Sequence, residues 1–124
     1  MPGTRRVLFA EDDDVIAEMY QLKLEQEGWL VERAVDGREV LRLATGRPPD
    51  LILLDLRLAG MDGRTVLKGL LADELTRRIP VVVFSNSSRY DEEAREAIRL
   101  GARAYLVKAD TEPRKLAQLL AAYV

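Results

Sequence analysis

Hydrophobic and polar positions follow two different rhythms along this chain. Val7-Leu8-Phe9-Ala10, Leu51-Ile52-Leu53-Leu54, Val81-Val82-Val83-Phe84 and Ala104-Tyr105-Leu106-Val107 are short, continuous apolar runs. That is the pattern of strands covered on both faces. Between them, apolar residues recur at helical spacing. Val15, Ile16, Met19 and Leu22 fall on one face, as do Val66, Leu67 and Leu70, then Ala94, Ala97 and Ile98, then Leu116, Leu119, Leu120 and Tyr123. Gly28 and Gly101 stand where C-terminal caps stop two of these helices. Residues 29–35 mix polar and apolar positions and read as a more exposed edge strand. A helix carrying Val40, Leu41 and Ala44 follows, and Pro48-Pro49-Asp50 breaks the chain before the third strand.

Five β/α units in succession predict an α/β fold. Because parallel crossovers are right-handed, the expected architecture is an open, doubly wound, five-stranded parallel sheet with helices on both faces. The 124 residues, 48% of them hydrophobic, suit one domain spanning residues 1–124 with a core of normal density.

Nineteen basic and 21 acidic residues nearly cancel to a net charge of −2, which gives no field to draw nucleic acid. Cysteine and histidine are both absent. That excludes disulfides, thiolate or imidazole zinc sites, Ser-His triads and a histidine phosphodonor. No apolar run approaches the roughly 20 residues needed to cross a bilayer, and residues 1–6 lack a signal-peptide layout. No membrane partner and a cytoplasmic location are the expectations.

In open α/β sheets, ligands bind outside the carboxyl ends of the strands, where strand order reverses. Glu11 and Asp12 follow the first strand, Asp55 the third, Ser85 and Asn86 the fourth, and Lys108 the fifth. Each has an ordinary explanation alone. Asp13 or Asp14 serves best as a helix N-cap or an acidic first turn, Asp55 could be a turn residue, and Lys108 a solvated lysine. Their joint arrival at one edge favours a site. Three clustered carboxylates need raised pKa values or a counter-cation. A hard divalent ion such as Mg²⁺ suits an all-oxygen set that leaves room for a phosphoryl group. An Asp beside it can act as a nucleophile toward phosphorus, with Lys108 neutralising the oxygens.

At these residues the chain resembles the receiver domain of two-component response regulators, over nearly its whole length. The segments that carry the resemblance are Val7-Leu8-Phe9-Ala10-Glu11-Asp12-Asp13, Pro49-Asp50-Leu51-Ile52-Leu53-Leu54-Asp55, Gly60-Met61-Asp62-Gly63, Ile79-Pro80-Val81-Val82-Val83-Phe84-Ser85 and Gly101-Ala102-Arg103-Ala104-Tyr105-Leu106-Val107-Lys108. The resemblance implies the flavodoxin-like strand order 2-1-3-4-5 and makes Asp55 the phosphoacceptor. It implies that Glu11, Asp12, Asp55 and the backbone carbonyl of Arg57 hold Mg²⁺, that Ser85 and Lys108 contact the phosphoryl group, and that Ser85 and Tyr105 form the switch.

The resemblance also implies a sensor histidine kinase or phosphotransfer protein as donor. Output would pass to a downstream protein, or a second copy, through the face of the fourth helix, fifth strand and fifth helix. The domain would be a phosphoacceptor rather than an enzyme, catalysing only its own phosphorylation and dephosphorylation. With the sequence ending at Val124, a stand-alone regulator or an excised receiver is expected.

Three positions depart from the family pattern. Ala59 replaces a common proline, Asn86-Ser87-Ser88 replaces a small residue and its successors, and Ala109 follows Lys108 where a proline after a cis bond is usual. Three rival readings compete with this one. A haloacid-dehalogenase-like phosphohydrolase needs a second acid where Arg57 stands. A flavodoxin-type FMN carrier would put its phosphate beside four acids. A pseudo-receiver that only binds partners keeps the fold without the chemistry.

Overall fold

A computed structural model describes residues 4–88 and 90–124; the first three residues of the 1–6 segment lie outside them. The elements follow in strict alternation. They are β1 (Arg6–Ala10), α1 (Asp14–Gln26), β2 (Leu30–Ala34), α2 (Gly37–Gly46), β3 (Leu51–Leu54), α3 (Gly63–Ala72), β4 (Val81–Ser85), α4 (Glu92–Leu100), β5 (Ala104–Val107) and α5 (Pro113–Leu120). Short 3₁₀ turns cover Lys108–Asp110 and Ala121–Tyr123. The five strands form one sheet in the order β2-β1-β3-β4-β5, with every pairing parallel. This is the flavodoxin-like order that the family resemblance implied.

Helix starts are set locally. Asp13, Asp36 and Asp62 accept the backbone N–H groups of Ile16 (3.0 Å), Glu39 (2.8 Å) and Arg64 (2.8 Å), satisfying donors that the first turn leaves without helical partners. Asp13 is thus the cap its position suggested. The Arg64 guanidinium and backbone amide, both bonded to Asp62, hold that carboxyl below the usual range. At the other end of α4, Gly101 adopts φ +122°, a conformation that side chains disfavour.

Alternating side chains of the strands build two cores. Val7, Phe9, Leu51, Leu53, Val82 and Phe84 pack against Ala17, Tyr20 and Leu24 of α1 and Leu116, Ala117 and Leu120 of α5. Leu8, Ala10, Ile52, Leu54, Val81 and Val83 pack on the opposite face with residues of α2, α3 and α4. The mixed 29–35 stretch does form an edge strand. The opposite edge, β5, is half-buried throughout rather than covered on both faces, because it has only one neighbour.

One helix face differs from its expectation. Val15, Met19 and Leu22 lie on the solvent side of α1, while Ala17, Tyr20 and Leu24 face the sheet. Tyr20 decides the rotation. Its ring meets Phe84 edge-on at 4.9 Å, and its hydroxyl donates to the Thr111 carbonyl at 2.7 Å, so it brings both area and a satisfied polar tip into the core. Ile98 of α4 is likewise exposed, Ala94 and Ala97 being the residues that turn inward. Among the described residues, no helix is long and apolar enough to cross a membrane.

Candidate functional site

The strand order reverses at β1 and β3, and the register pairs Ala10 with Leu54. Glu11 and Asp55 therefore leave adjacent strands side by side. Both departures are pinned by the backbone: the Glu11 N–H donates to the Ala34 carbonyl (3.0 Å), and the Asp55 N–H to the Ala10 carbonyl (3.2 Å). Glu11 and Asp55 are buried, whereas Asp12 faces solvent. One carboxylate oxygen from each of the three lies within 4.8 Å of the others. The three acids expected at this rim are therefore gathered at one point.

Lys108 supplies the cation. It follows β5 at the far edge, yet its side chain is 8% exposed and spans the strand ends to reach the acids. The Nζ donates to Asp55 Oδ2 at 2.6 Å and to Glu11 Oε1, and it sits 5.8 Å from the centre of the Phe84 ring. Burial works to lower the Lys108 pKa, but the bonds and fields of Asp55 and Glu11 outweigh it and the net shift is upward. The ammonium thus stays charged and neutralises the buried carboxylates from within. The Lys108–Ala109 bond is trans, since no cis peptide occurs among the described residues, and the chain turns there in a 3₁₀ conformation.

Ser85 is the last residue of β4 rather than the first beyond it, fully buried, and its Oγ has no hydrogen-bond partner among the described residues. A buried hydroxyl left unpaired costs about 1–3 kcal/mol. Tyr105 lies near it, half-buried, with its hydroxyl donating to the Ser87 carbonyl at 2.9 Å. Burial raises its phenol pKa, and the neighbouring Ser85 and Ser87 moderate the rise. The Arg57 N–H donates to Asp55 Oδ1 at 2.9 Å, which holds the loop after β3 against the carboxylate.

Arg33 of β2 was not singled out from the sequence. Its Nε donates to the Glu11 carbonyl at 3.0 Å and its Nη1 pairs with Asp14 at 2.7 Å, so it staples both ends of the acidic turn. The only signal in the sequence was the charged pair Glu32-Arg33 within a short strand. Gly63 was quoted only as part of a motif. A Cβ there would lie 2.3 Å from the Leu56 Cα, so glycine alone lets α3 start this close to the Asp55 loop.

Residues 7–121 match the family model described as the response regulator receiver domain. The chain is 36% identical over 116 residues to the DNA-binding dual master transcriptional regulator RpaA of Synechocystis, covering 94% of this chain and 48% of that protein. It thus spans about half the length of that relative. It is 35% identical over 112 residues to the polar-differentiation response regulator DivK of Brucella ovis, covering 90% of this chain and 89% of the relative. Among solved structures, it resembles the receiver domain of the sensor histidine kinase PA1611 from Pseudomonas aeruginosa, with a TM-score of 0.87, 25% identity and 98% coverage of both chains. That structure carries a magnesium ion coordinated in its active-site cleft.

Proposed function

Since this chain belongs to the response regulator receiver-domain family of two-component signalling, we propose that it accepts a phosphoryl group on Asp55. The family is one of signalling regulators, which interact with histidine kinases and downstream targets. In the proposed step, an Asp55 carboxylate oxygen attacks the phosphorus of the donor. A phosphorus–oxygen bond forms to the aspartyl group as the bond to the leaving group breaks, and the leaving group departs with the electron pair.

The observation that carries this reading is Lys108, whose ammonium reaches across the sheet to Asp55 and Glu11. Lys108 is placed to follow the charge onto the incoming oxygens. Ser85 would give one of them its O–H. Glu11, Asp12 and Asp55 form an all-oxygen donor set that fits Mg²⁺, to which the Arg57 backbone carbonyl would add a further ligand, and the ion seen in the PA1611 receiver supports that assignment. When bound, Mg²⁺ would neutralise charge on the phosphoryl oxygens as a Lewis acid.

The donor would be a sensor histidine kinase or phosphotransfer protein, and turnover would be limited to self-catalysed phosphorylation and dephosphorylation. Engagement of Ser85 would loosen the contacts around Tyr105 and change the α4-β5-α5 face, where a downstream protein or second copy docks. Incubation with acetyl phosphate and Mg²⁺ followed by intact-mass measurement tests the assignment. One phosphoryl group is expected on the wild type and none on Asp55→Asn. Persistent labelling of the variant would move the acceptor elsewhere, and no labelling of either would leave a binding module.

A further inference from the structure

Arg57 has so far entered only through its backbone, but its side chain joins two parts of the molecule. Its Nη2 pairs with Glu93 Oε2 in the first turn of α4 at 3.2 Å. The guanidinium is 67% exposed, so this pair is held weakly in water. The same side chain borders a cleft of about 300 Å³ whose other walls are Asn86, Ser87, Ser88 and Asp91. Ser87 is 9% exposed, and its Oγ finds no hydrogen-bond partner among the described residues.

Ala94 buries one side of the first turn of α4, and the other side of that turn is acidic. Asp91 stands at the N-cap without a side-chain capping bond, and Asp91, Glu92 and Glu93 place three acids in succession. Glu92 is engaged by Arg99 on the same helix, which does not tie it to the body of the domain. Arg64 of α3 holds Glu96, one turn further on, at 2.7 Å. Among the described residues, the Arg57–Glu93 ion pair links this end of α4 to the loop carrying Asp55.

We propose that the Arg57 guanidinium is a phosphoryl-binding group that leaves Glu93 when Asp55 is phosphorylated, and that the exchange unpins the first turn of α4. This rests on the reading of Asp55 as the phosphoacceptor. The charges set the direction. Phosphorylation adds about −1.5 to −2 charge and three strong acceptor oxygens two residues from Arg57, against the single charge of Glu93. A guanidinium fork engages such oxygens in pairs, and charge-assisted bonds of that kind are roughly twice as strong as neutral ones. Glu93, once released, faces the new anion together with Asp91 and Glu92. Like charges push the acidic turn outward. The Arg64–Glu96 bridge is untouched, so the loosening stays within the first turn.

Hydrogen exchange read by mass spectrometry on peptides covering residues 90–100 tests this, with labelling by acetyl phosphate and Mg²⁺ followed separately by intact mass. In the wild type, labelling should raise exchange in the first turn of α4 at least threefold. Unlabelled Glu93→Gln should already exchange faster than the unlabelled wild type, and the labelled fraction of Arg57→Met should show no further gain. A labelled Arg57→Met that gains exchange as the wild type does would overturn the proposal, as would a Glu93→Gln protein indistinguishable from the unlabelled wild type. Failure of the wild type to label would instead overturn the phosphoacceptor reading, and the inference with it.

Discussion

Replacing Lys108 with Met removes the cation from between Glu11 and Asp55 while keeping most of the side-chain volume. Glu11 and Asp55 are 1% and 6% exposed, so the variant leaves two carboxylates out of water with no partner for their charge. Breaking a buried pair in this way costs about 3–5 kcal/mol. A second route limits the loss, because one carboxyl can take up a proton instead. For a carboxyl of ordinary pKa near 4.3, that costs about 1.4 kcal/mol for each of roughly 2.7 pH units at pH 7, or about 4 kcal/mol. The expected loss in metal-free buffer at pH 7 is therefore about 3–4 kcal/mol.

The sign of the pH dependence follows from the same choice. Without Lys108, the folded state holds a proton that the unfolded chain has released, so relative stability rises as pH falls toward the unfolded carboxyl value. At pH 5, the penalty should shrink to about 1 kcal/mol. Urea unfolding in EDTA at the two pH values measures both numbers. Titrated Mg²⁺ at pH 7 should then stabilise Lys108→Met more than the wild type, because no ammonium competes for the oxygens. A loss below about 1 kcal/mol at pH 7, or one independent of pH, would show that the acids do not depend on Lys108 for their charge balance.

Gly63→Ala should cost about 3 kcal/mol in urea unfolding, since its Cβ would meet backbone atoms of Leu56 at 2.3–2.8 Å rather than a flexible side chain. Asp12→Ala should weaken Mg²⁺ binding at least tenfold by calorimetry while leaving stability within about 0.5 kcal/mol, because Asp12 is exposed; an unchanged affinity would remove it from the proposed ligand set. Burial raises the phenol pKa of Tyr20 and of Tyr105. Alkaline absorbance titration of Tyr20→Phe and Tyr105→Phe should each lose a phenol that ionises later than usual. The stability tied to these groups is present below about pH 10 and is lost as pH rises through their folded values.

What could be read along the chain depended on the range of the interaction. The strand runs, the Asp13 cap and the gathering of Glu11, Asp55 and Lys108 at strand ends follow from local rhythm plus one topological rule, and the sheet has that form. The face of α1 did not follow. The helix carries two apolar stripes, and the choice between them lay with Tyr20, whose hydroxyl needs the Thr111 carbonyl 91 residues away. The Lys108 side chain was read only as a charge partner for an incoming group. Its hold on Glu11 and Asp55 needs three strand ends placed together. Arg33 and the Arg57 side chain were silent for the same reason: an arginine's reach covers several candidate acids, and only the folded chain selects Asp14 and Glu93.

Under the proposed chemistry, these contacts make one set of oxygens serve two cations. The Asp55 and Glu11 carboxylates hold Lys108 in the unliganded protein, yet two of the same groups belong to the Mg²⁺ donor set. Mg²⁺ can enter only by sharing or displacing the ammonium, which offsets part of its binding energy and favours weak affinity for the unphosphorylated rim. Phosphorylation reverses that balance. New oxygens appear beside Asp55, and the ammonium and the metal no longer have to compete for the same lone pairs. Metal affinity and the phosphorylated state are then coupled, and linkage requires the coupling to be reciprocal. Mg²⁺ affinity measured on the phosphorylated protein should exceed that of the unphosphorylated protein, and Lys108→Met should narrow the difference by raising the unphosphorylated value. Equal affinities in the two wild-type states would mean that Lys108 and the metal never contend for the same oxygens.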